Sequence, residues 1–252
     1  MLYDGFLFFN EFELLEIRLN ELDGLVDRHV LVESSITFSG KPKPLYFWER
    51  HAEFEKYRHK INYVAVLNTP ETTDPWERET FQRNAIMRGV NGSDDDLLIC
   101  SDVDEIPRAS AIRAAMPITE MRNIHMKSYS MYINAHSGPW YHATIGPMIE
   151  FRKVGPHAIR MGNYPKIENG GWHFSSIGGA DRVVTKLDSF SHQEESIQAF
   201  KDRAAIQEKL DKGLGLYGGV MCLEKLDGTF PEHLVRNKER FHYLIAPDRL
   251  MG

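Results

Sequence analysis

Cysteine, positive charge and long apolar runs are all scarce in this chain of 252 residues, and each shortage closes off a class of protein. The two cysteines, Cys100 inside an apolar run and Cys222 far downstream, can build neither a disulfide framework nor a Cys-rich zinc site, which fits a reducing compartment. Lys and Arg number 30 against 36 Asp and Glu, a formal net charge of -6. The electrostatic footprint of a nucleic-acid binder is therefore missing, and no nucleic-acid partner is expected. The opening Met1-Leu2-Tyr3-Asp4-Gly5 carries no basic region, and the apolar patch at 6–9 is far shorter than a signal segment or a membrane span. A cytoplasmic protein without a transmembrane segment is the expectation. No linker-like tract, internal repeat or low-complexity segment divides the chain, so residues 1–252 are expected to form one domain.

What is present is an alternation of short apolar strands with helical periodicity. Residues 6–9 read as a buried strand, followed by Asn10 and Glu13 in a capping-box-like spacing. Leu15, Leu19, Leu22 and Val26 then recur at helical intervals with Leu14 and Ile17 beside them, and Gly24 marks the stop. Val30-Leu31-Val32 predicts a second strand ending at Glu33, and 61–66 a third. Asp74-Pro75-Trp76-Glu77 joins an N-cap, a proline at the first helical position and an early acidic residue, which predicts a helix over 75–88 closed by Gly89. Leu97-Leu98-Ile99-Cys100 predicts a fourth strand. Strands that are apolar on both faces and separated by helices imply a parallel sheet covered on both sides. The first 108 residues thus read as a nucleotide-binding half. Beyond Pro107, 123–133 and 148–153 read as strands, 181–190 and 194–212 as helices, and 241–245 is apolar again. The fold class implied is α/β: a Rossmann-like mixed, mostly parallel sheet flanked by helices, with antiparallel additions in the second half.

The most informative segment is Leu97-Leu98-Ile99-Cys100-Ser101-Asp102-Val103-Asp104-Glu105-Ile106-Pro107. In an extended chain residues i and i+2 point the same way, so Asp102 and Asp104 are expected to present both carboxylates on one side at the carboxyl end of a strand. Open α/β sheets bind their ligands there. Hard oxygen ligands suit Mg²⁺ or Mn²⁺, which can bridge carboxylates to a diphosphate and neutralise a leaving group. Acidic residues also gather in solvated turns, but the buried strand before this pair favours a metal–diphosphate site.

Asp4-Gly5-Phe6 leading into Asn10-Glu11, then Leu14 to Leu22, Val32-Glu33-Ser34, Arg78-Glu79, Gln82-Arg83-Asn84, the Asp102 to Pro107 element and Gly171-Trp172-His173 together resemble glycosyltransferase family 17. The resemblance covers nearly the whole chain, with the specific motifs in the first 108 residues and a loose match over 109–165. It implies a GT-A-type enzyme in which residues 1–108 bind the nucleotide sugar and 109–252 bind the acceptor and carry catalysis. The donor would be a UDP-sugar, UDP-GlcNAc by resemblance, with a divalent metal and inversion at the anomeric carbon. The animal members carry a membrane anchor and a luminal stem, which this sequence does not show. The expected acceptor is therefore a polysaccharide or lipid-linked glycan, and peripheral membrane contact is compatible with that reading.

Within such a sheet, Asn10, Glu11 and Glu33 fall at the strand ends where uracil or ribose would sit, since a carboxylate accepts from a ribose hydroxyl or the uracil N–H. Asn10 serves equally well as a helix cap. Arg78 and Arg83 are candidates to clamp the diphosphate, with Asn84 reaching the base and Asp102 at the donor. His173 is the expected third member of the metal shell beside Asp102 and Asp104, and His192 is its rival. Asp181, after Gly178-Gly179, matches the acidic helix start at which the resemblance suggests the catalytic base, with Glu168 and Glu150 as alternatives. Trp140-Tyr141-His142 and the tyrosines at 129 and 132 are candidates to stack on a sugar.

Two rivals remain. A sugar nucleotidyltransferase would open with a glycine-rich basic pyrophosphate loop, whereas Leu7-Phe8-Phe9 runs directly into Asn10-Glu11. A non-catalytic glycan-binding protein would need neither the Asp102–Asp104 pair nor a base. The G-x-G-x-x-G of Gly213 to Gly218 follows a helix instead of a strand and is read as a loop.

Overall fold

The computed structural model describes residues 1–194, 198 and 200–250. One ten-stranded mixed sheet carries the fold. β1 (Leu2–Leu7), β2 (Arg28–Ser34), β3 (Ile61–Val66) and β4 (Leu97–Asp102) lie parallel in the order β4-β1-β2-β3. The register pairs Leu7 with Val32 on one side and with Asp102 on the other, so the carboxyl ends of β1, β2 and β4 share one edge. The crossovers are α1 (Phe12–Leu22), α2 (Tyr46–Arg50), and α3 (Pro75–Asn84) with a 3-10 turn over Ala85–Gly89. α3 starts as its sequence dictates: Asp74 accepts from the Trp76 N–H at 2.9 Å, and Pro75 occupies the first turn, where its missing N–H costs nothing.

β1 begins four residues before the apolar patch at 6–9. Leu2, Tyr3 and Phe6 are buried in it, and the intervening Asp4 is accommodated because Arg18 and His29 pair with it inside the core. The second half adds β5 (Glu105–Pro107), α4 (Ala109–Ala115), β6 (Arg122–Met131), β7 (Ala135–Trp140), β8 (Thr144–Pro147), α5 (Met148–Val154), α6 (Pro156–Arg160), β9 (Lys166–Ile177), α7 (Ala180–Ser189), α8 (Arg203–Asp211), β10 (Cys222–Leu223) and α9 (Glu232–Arg236). β8 pairs antiparallel with β4, β6 with both β7 and β8, and β5 with β9, while β6 and β9 run parallel. The antiparallel additions expected after Pro107 are therefore present.

The strand expected over 148–153 is instead helix α5. Met148 and Phe151, three apart, are its buried positions, Arg152 to Val154 face solvent, and Gly155 closes it at φ 85°. Of the helix expected over 194–212, α8 is present, with Asp202 capping the N–H groups of Ala204 and Ala205, whereas 195–197 and 199 lie outside the described residues. The apolar 241–245 stretch carries a 3-10 turn over His242–Leu244, with Phe241 and Leu244 in the core. The Gly213 to Gly218 segment is a loop pinched by a Leu214–Val220 bridge. No described helix is long and apolar enough to cross a membrane.

Candidate functional site

Beyond the carboxyl end of β1 a small cleft of about 30 Å³ opens, lined by Asn10, Glu11, Glu13, Ser176, Arg182 and Lys186 over an apolar floor that includes Leu14 and Phe174. With the strand order β4-β1-β2-β3, this is the crevice at which the chain reverses direction across the sheet. A larger polar groove, lined by Glu21, Arg108, Arg113, Trp172, Glu232 and Arg236, contains none of the expected site residues.

Asp104 stands beside this cleft. β4 stops at Asp102 and Val103-Asp104 form a turn before β5, so the i/i+2 rule does not carry across, and the two carboxylates have different partners. Asp104 Oδ2 accepts from Lys186 Nζ at 2.6 Å and lies 3.8 Å from His173 Nε2. The β5–β9 pairing sets Glu105 opposite His173, which brings the imidazole to the turn. Gly171 permits that pairing, because a Cβ there would meet the Ile106 carbonyl oxygen at 2.2 Å. His173 stacks on Trp140 at 4.1 Å between ring centres, and its Nδ1 lies 3.1 Å from Ser128 Oγ. Burial lowers its pKa against the opposing pull of Asp104, so the ring is neutral at physiological pH.

Asp102, half-buried, is clamped by two arginines. Arg83 Nη1 donates to its Oδ1 at 2.7 Å and Arg160 Nη2 to its Oδ2 at 2.8 Å. Burial alone would raise its pKa; Arg160 and then Arg83 overcome it and hold the carboxyl well below the usual range. Arg160 also bridges to both oxygens of Glu105, which receives the indole N–H of Trp140 as well. Behind the turn, the fully buried Arg18 donates to the carbonyls of Asp102 and Glu105 at 2.9 and 2.6 Å, while Asp4 and Ser101 hold its other nitrogens.

Glu11 is the cleft's second carboxylate on the β1 side. Its Oε2 accepts from the N–H groups of Phe9 and Asn10 at 3.3 and 3.0 Å, which turns the helix start back on itself in place of the Asn10–Glu13 capping box. Burial raises its pKa against Lys186, and the nearby Asp104 adds to the rise. Lys186 is affected in the opposite sense: burial would lower its pKa, but Asp104 and Glu11 raise it, so its ammonium is fixed as a cation.

Several expected residues are occupied elsewhere. Glu33 is sealed in the core, accepting from the Phe47 N–H at 3.2 Å, the Tyr63 hydroxyl at 3.0 Å and Lys43 at 3.4 Å. Arg78 donates to the carbonyls of Phe38 and Thr72, which ties α3 to a neighbouring loop. Asn84 accepts from the His157 N–H at 3.0 Å and so joins α3 to α6, away from the cleft lining. Arg83 lies on Asp102 and Glu79 instead of opening to the cleft. His192 is half-exposed, edge-on to Trp76 and paired with Glu194. Tyr129 is core, bonded through its hydroxyl to Glu224.

Asp181 is 76% exposed, bound by Arg203, and absent from the cleft lining. The helix explains this. Buried Val183 and Leu187 fix the rotation of α7, which turns Arg182 and Lys186, four residues apart, toward the cleft; Asp181 is offset about 100° from Arg182. Glu168 pairs with His125 and Glu150 with Lys153, both at the surface. Sequence reasoning missed Lys186, Arg182 and Arg160, because a cation on an amphipathic helix carries no mark that separates a site from a solvated face.

A model of glycosyltransferase family 17 matches residues 1–226. The chain is 36% identical over 294 aligned positions to a human beta-1,4-mannosyl-glycoprotein 4-beta-N-acetylglucosaminyltransferase, covering 94% of this chain and 53% of the human protein. It is also 36% identical over 112 positions to the rat protein of the same name, covering 41% of this chain and 21% of that protein. The chain thus spans about half the length, or less, of these relatives. Among solved structures, a 4-diphosphocytidyl-2C-methyl-D-erythritol synthase superposes with a TM-score of 0.40 at 10% identity, over 81% of this chain and 97% of that one. With the family match running through most of its length, the chain belongs to glycosyltransferase family 17.

Proposed function

We propose that this chain is a glycosyltransferase that moves N-acetylglucosamine from a UDP donor to a glycan hydroxyl, with a divalent cation and inversion at the anomeric carbon. The observation that carries the reading is the family match over residues 1–226 together with Asp104 at the crevice between β1 and β4. The donor half is 1–108, the acceptor half is 109–252, and the acceptor is a polysaccharide or lipid-linked glycan met in the cytoplasm.

The residues at the turn fit a metal ion. Among the described residues no group of three or more His, Cys, Asp or Glu side chains is placed to hold a metal ion. Ions of the Mg²⁺ type, however, take one or two protein ligands and complete the shell with substrate phosphates and water. Asp104 supplies one hard oxygen, and His173 a neutral imidazole aimed at the same point. When bound there, Mn²⁺ or Mg²⁺ supplies positive charge to the departing diphosphate. Lys186 and Arg182 add fixed cations to the same wall. The Arg83–Asp102–Arg160–Glu105 network holds the turn rigid, which keeps Asp104 in position without reorganisation.

Inversion by single displacement needs a carboxylate that takes the acceptor's proton. Of the two that line the cleft, Glu13 is engaged by Arg182 and Tyr243, whereas Glu11 is held by backbone N–H groups and keeps a raised proton affinity. Glu11 takes that role in this reading. The experiment is calorimetry of UDP, GDP and CMP with Mn²⁺ and with EDTA, alongside NMR of the product's anomeric proton. UDP is expected to bind best, to weaken on chelation and in Asp104→Asn, and the product is expected to be inverted. Metal-indifferent UDP binding in both proteins, or a retained anomer, overturns the reading.

A further inference from the structure

We propose that Lys186 is a resident cation on Asp104 which a divalent ion must displace, and that the donor diphosphate receives the displaced ammonium, so that ion binding depends on donor binding. This rests on the reading above, that Asp104 and His173 hold the ion.

Lys186 Nζ lies 2.6 Å from Asp104 Oδ2, the oxygen that His173 Nε2 faces at 3.8 Å. One carboxylate oxygen therefore serves the ammonium in the donor-free protein and the ion in the loaded one. The pair is only partly open to solvent, with Lys186 27% and Asp104 8% exposed at the side chain. Water consequently screens little of the repulsion between two cations drawn to one oxygen. An ion can settle on Asp104 only as the ammonium leaves, and a half-buried ammonium leaves only for another anion.

Within the cleft the remaining carboxylates are poor recipients. Glu13 is taken by Arg182 and Tyr243, and Glu11 Oε2 by backbone N–H groups. A diphosphate entering the cleft brings the missing negative charge, and the four-carbon stem of Lys186 lets the ammonium swing onto it. Arg182, one turn earlier on the same face of α7, lines the same wall but is held by both oxygens of Glu13, which leaves Lys186 as the cation that moves. Linkage makes the effect reciprocal: whatever donor does for ion affinity, the ion does for donor affinity.

The test measures Mn²⁺ binding to the full chain by calorimetry and by the loss of the free-ion EPR signal, with and without UDP. Without nucleotide, Lys186→Met is expected to bind Mn²⁺ about tenfold or more tighter than the unmodified chain. Arg182→Met removes the same charge from the same face without touching Asp104, and is expected to stay within about threefold. With UDP present, the advantage of Lys186→Met shrinks or reverses, because the diphosphate has lost its lysine. Equal donor-free affinities of Lys186→Met and the unmodified chain, or an equal gain in Arg182→Met, overturn the exchange while leaving the ion site standing. Failure of Mn²⁺ to bind any of these proteins, even with UDP, overturns the ion site itself and the exchange with it. A second measurement needs no variant: in the unmodified chain Mn²⁺ alone leaves the melting temperature unchanged, and Mn²⁺ with UDP raises it above UDP alone. A full rise with Mn²⁺ alone refutes the proposal.

Discussion

Asp102 and Asp104 are separated by one residue and carry the same side chain, yet one is clamped by two arginines and the other meets a lysine and a histidine beside a cleft. Both oxygens of Asp102 receive arginine nitrogens, from α3 and from α6. Asp104 meets a lysine and a neutral histidine, both able to give way to a ligand. An acidic pair at a strand end is thus a structural element and a functional one side by side. What separates them is whether the neighbouring cations are rigid, buried guanidiniums or a flexible ammonium at the cleft. The rigid side serves the open one, since Arg18, Arg83 and Arg160 fix the turn from which Asp104 projects.

The comparison breaks most visibly in catalysis. Glu11→Gln keeps the size of the side chain and removes the proton acceptor, so turnover is expected to fall by about 10² to 10⁴, with UDP affinity nearly intact. Asp181→Asn, on an exposed carboxylate that does not line the cleft, is expected to change turnover by less than about twofold. Slow donor hydrolysis in the absence of acceptor, followed as UDP release with Mn²⁺ present, reads both. A large loss in Asp181→Asn with normal Glu11→Gln would return the base to the helix start.

Stability separates the pair next. Asp102→Asn strips Arg83 and Arg160 of a shared carboxylate inside the protein, and breaking a buried ion pair from one side costs about 3–5 kcal/mol. Asp104→Asn loosens a single lysine, 27% exposed and able to reach solvent, from a largely buried carboxylate, so a smaller loss of about 1–2 kcal/mol is expected, with its damage appearing in donor affinity. Urea unfolding of both variants measures this. Equal losses would mean that the two carboxylates are not distinct in kind.

Much of this division was legible in the sequence, and the illegible part has a common cause. The four parallel strands and the Asp74–Pro75 helix start follow from apolar periodicity and cap chemistry, whereas His173 beside Asp104 is expected only from the family resemblance. Local pattern fails where rotation about an element's axis decides the outcome. Asp181 and Lys186 lie on one short helix, and the depth to which Val183 and Leu187 are buried determines which of them meets the cleft. Met148 to Val154 fails for a related reason, since in a seven-residue run with apolar Met148, Ile149, Phe151 and Val154 the helical spacing of Met148 and Phe151 is hard to tell from a short buried strand. Asp4 and Arg18 look like surface residues in sequence, and only their meeting across β1 and α1 makes a buried pair of them.

That pair yields the smallest effect and a pH signature. Burial would raise the pKa of Asp4, but Arg18 and then His29 reverse the shift and hold it at about 2, below the 3.8 of an ordinary aspartate. A carboxyl whose folded pKa is depressed contributes stability that is fully present above its unfolded pKa and is lost as pH falls through the folded one. The window therefore runs from about pH 5 down to about pH 2, and the contribution lost there is about 2 kcal/mol. Because Arg18 uses its hold on Asp4 to reach the carbonyls of Asp102 and Glu105, acid should loosen the rigid side of the turn. Asp4→Asn removes the titration and lowers stability at neutral pH, so its stability curve should be flatter than that of the unmodified chain across that window. Parallel curves from urea melts at pH 5, 4, 3 and 2 would show that Asp4 is not what acid attacks and that the turn draws its rigidity from Arg83 and Arg160 alone.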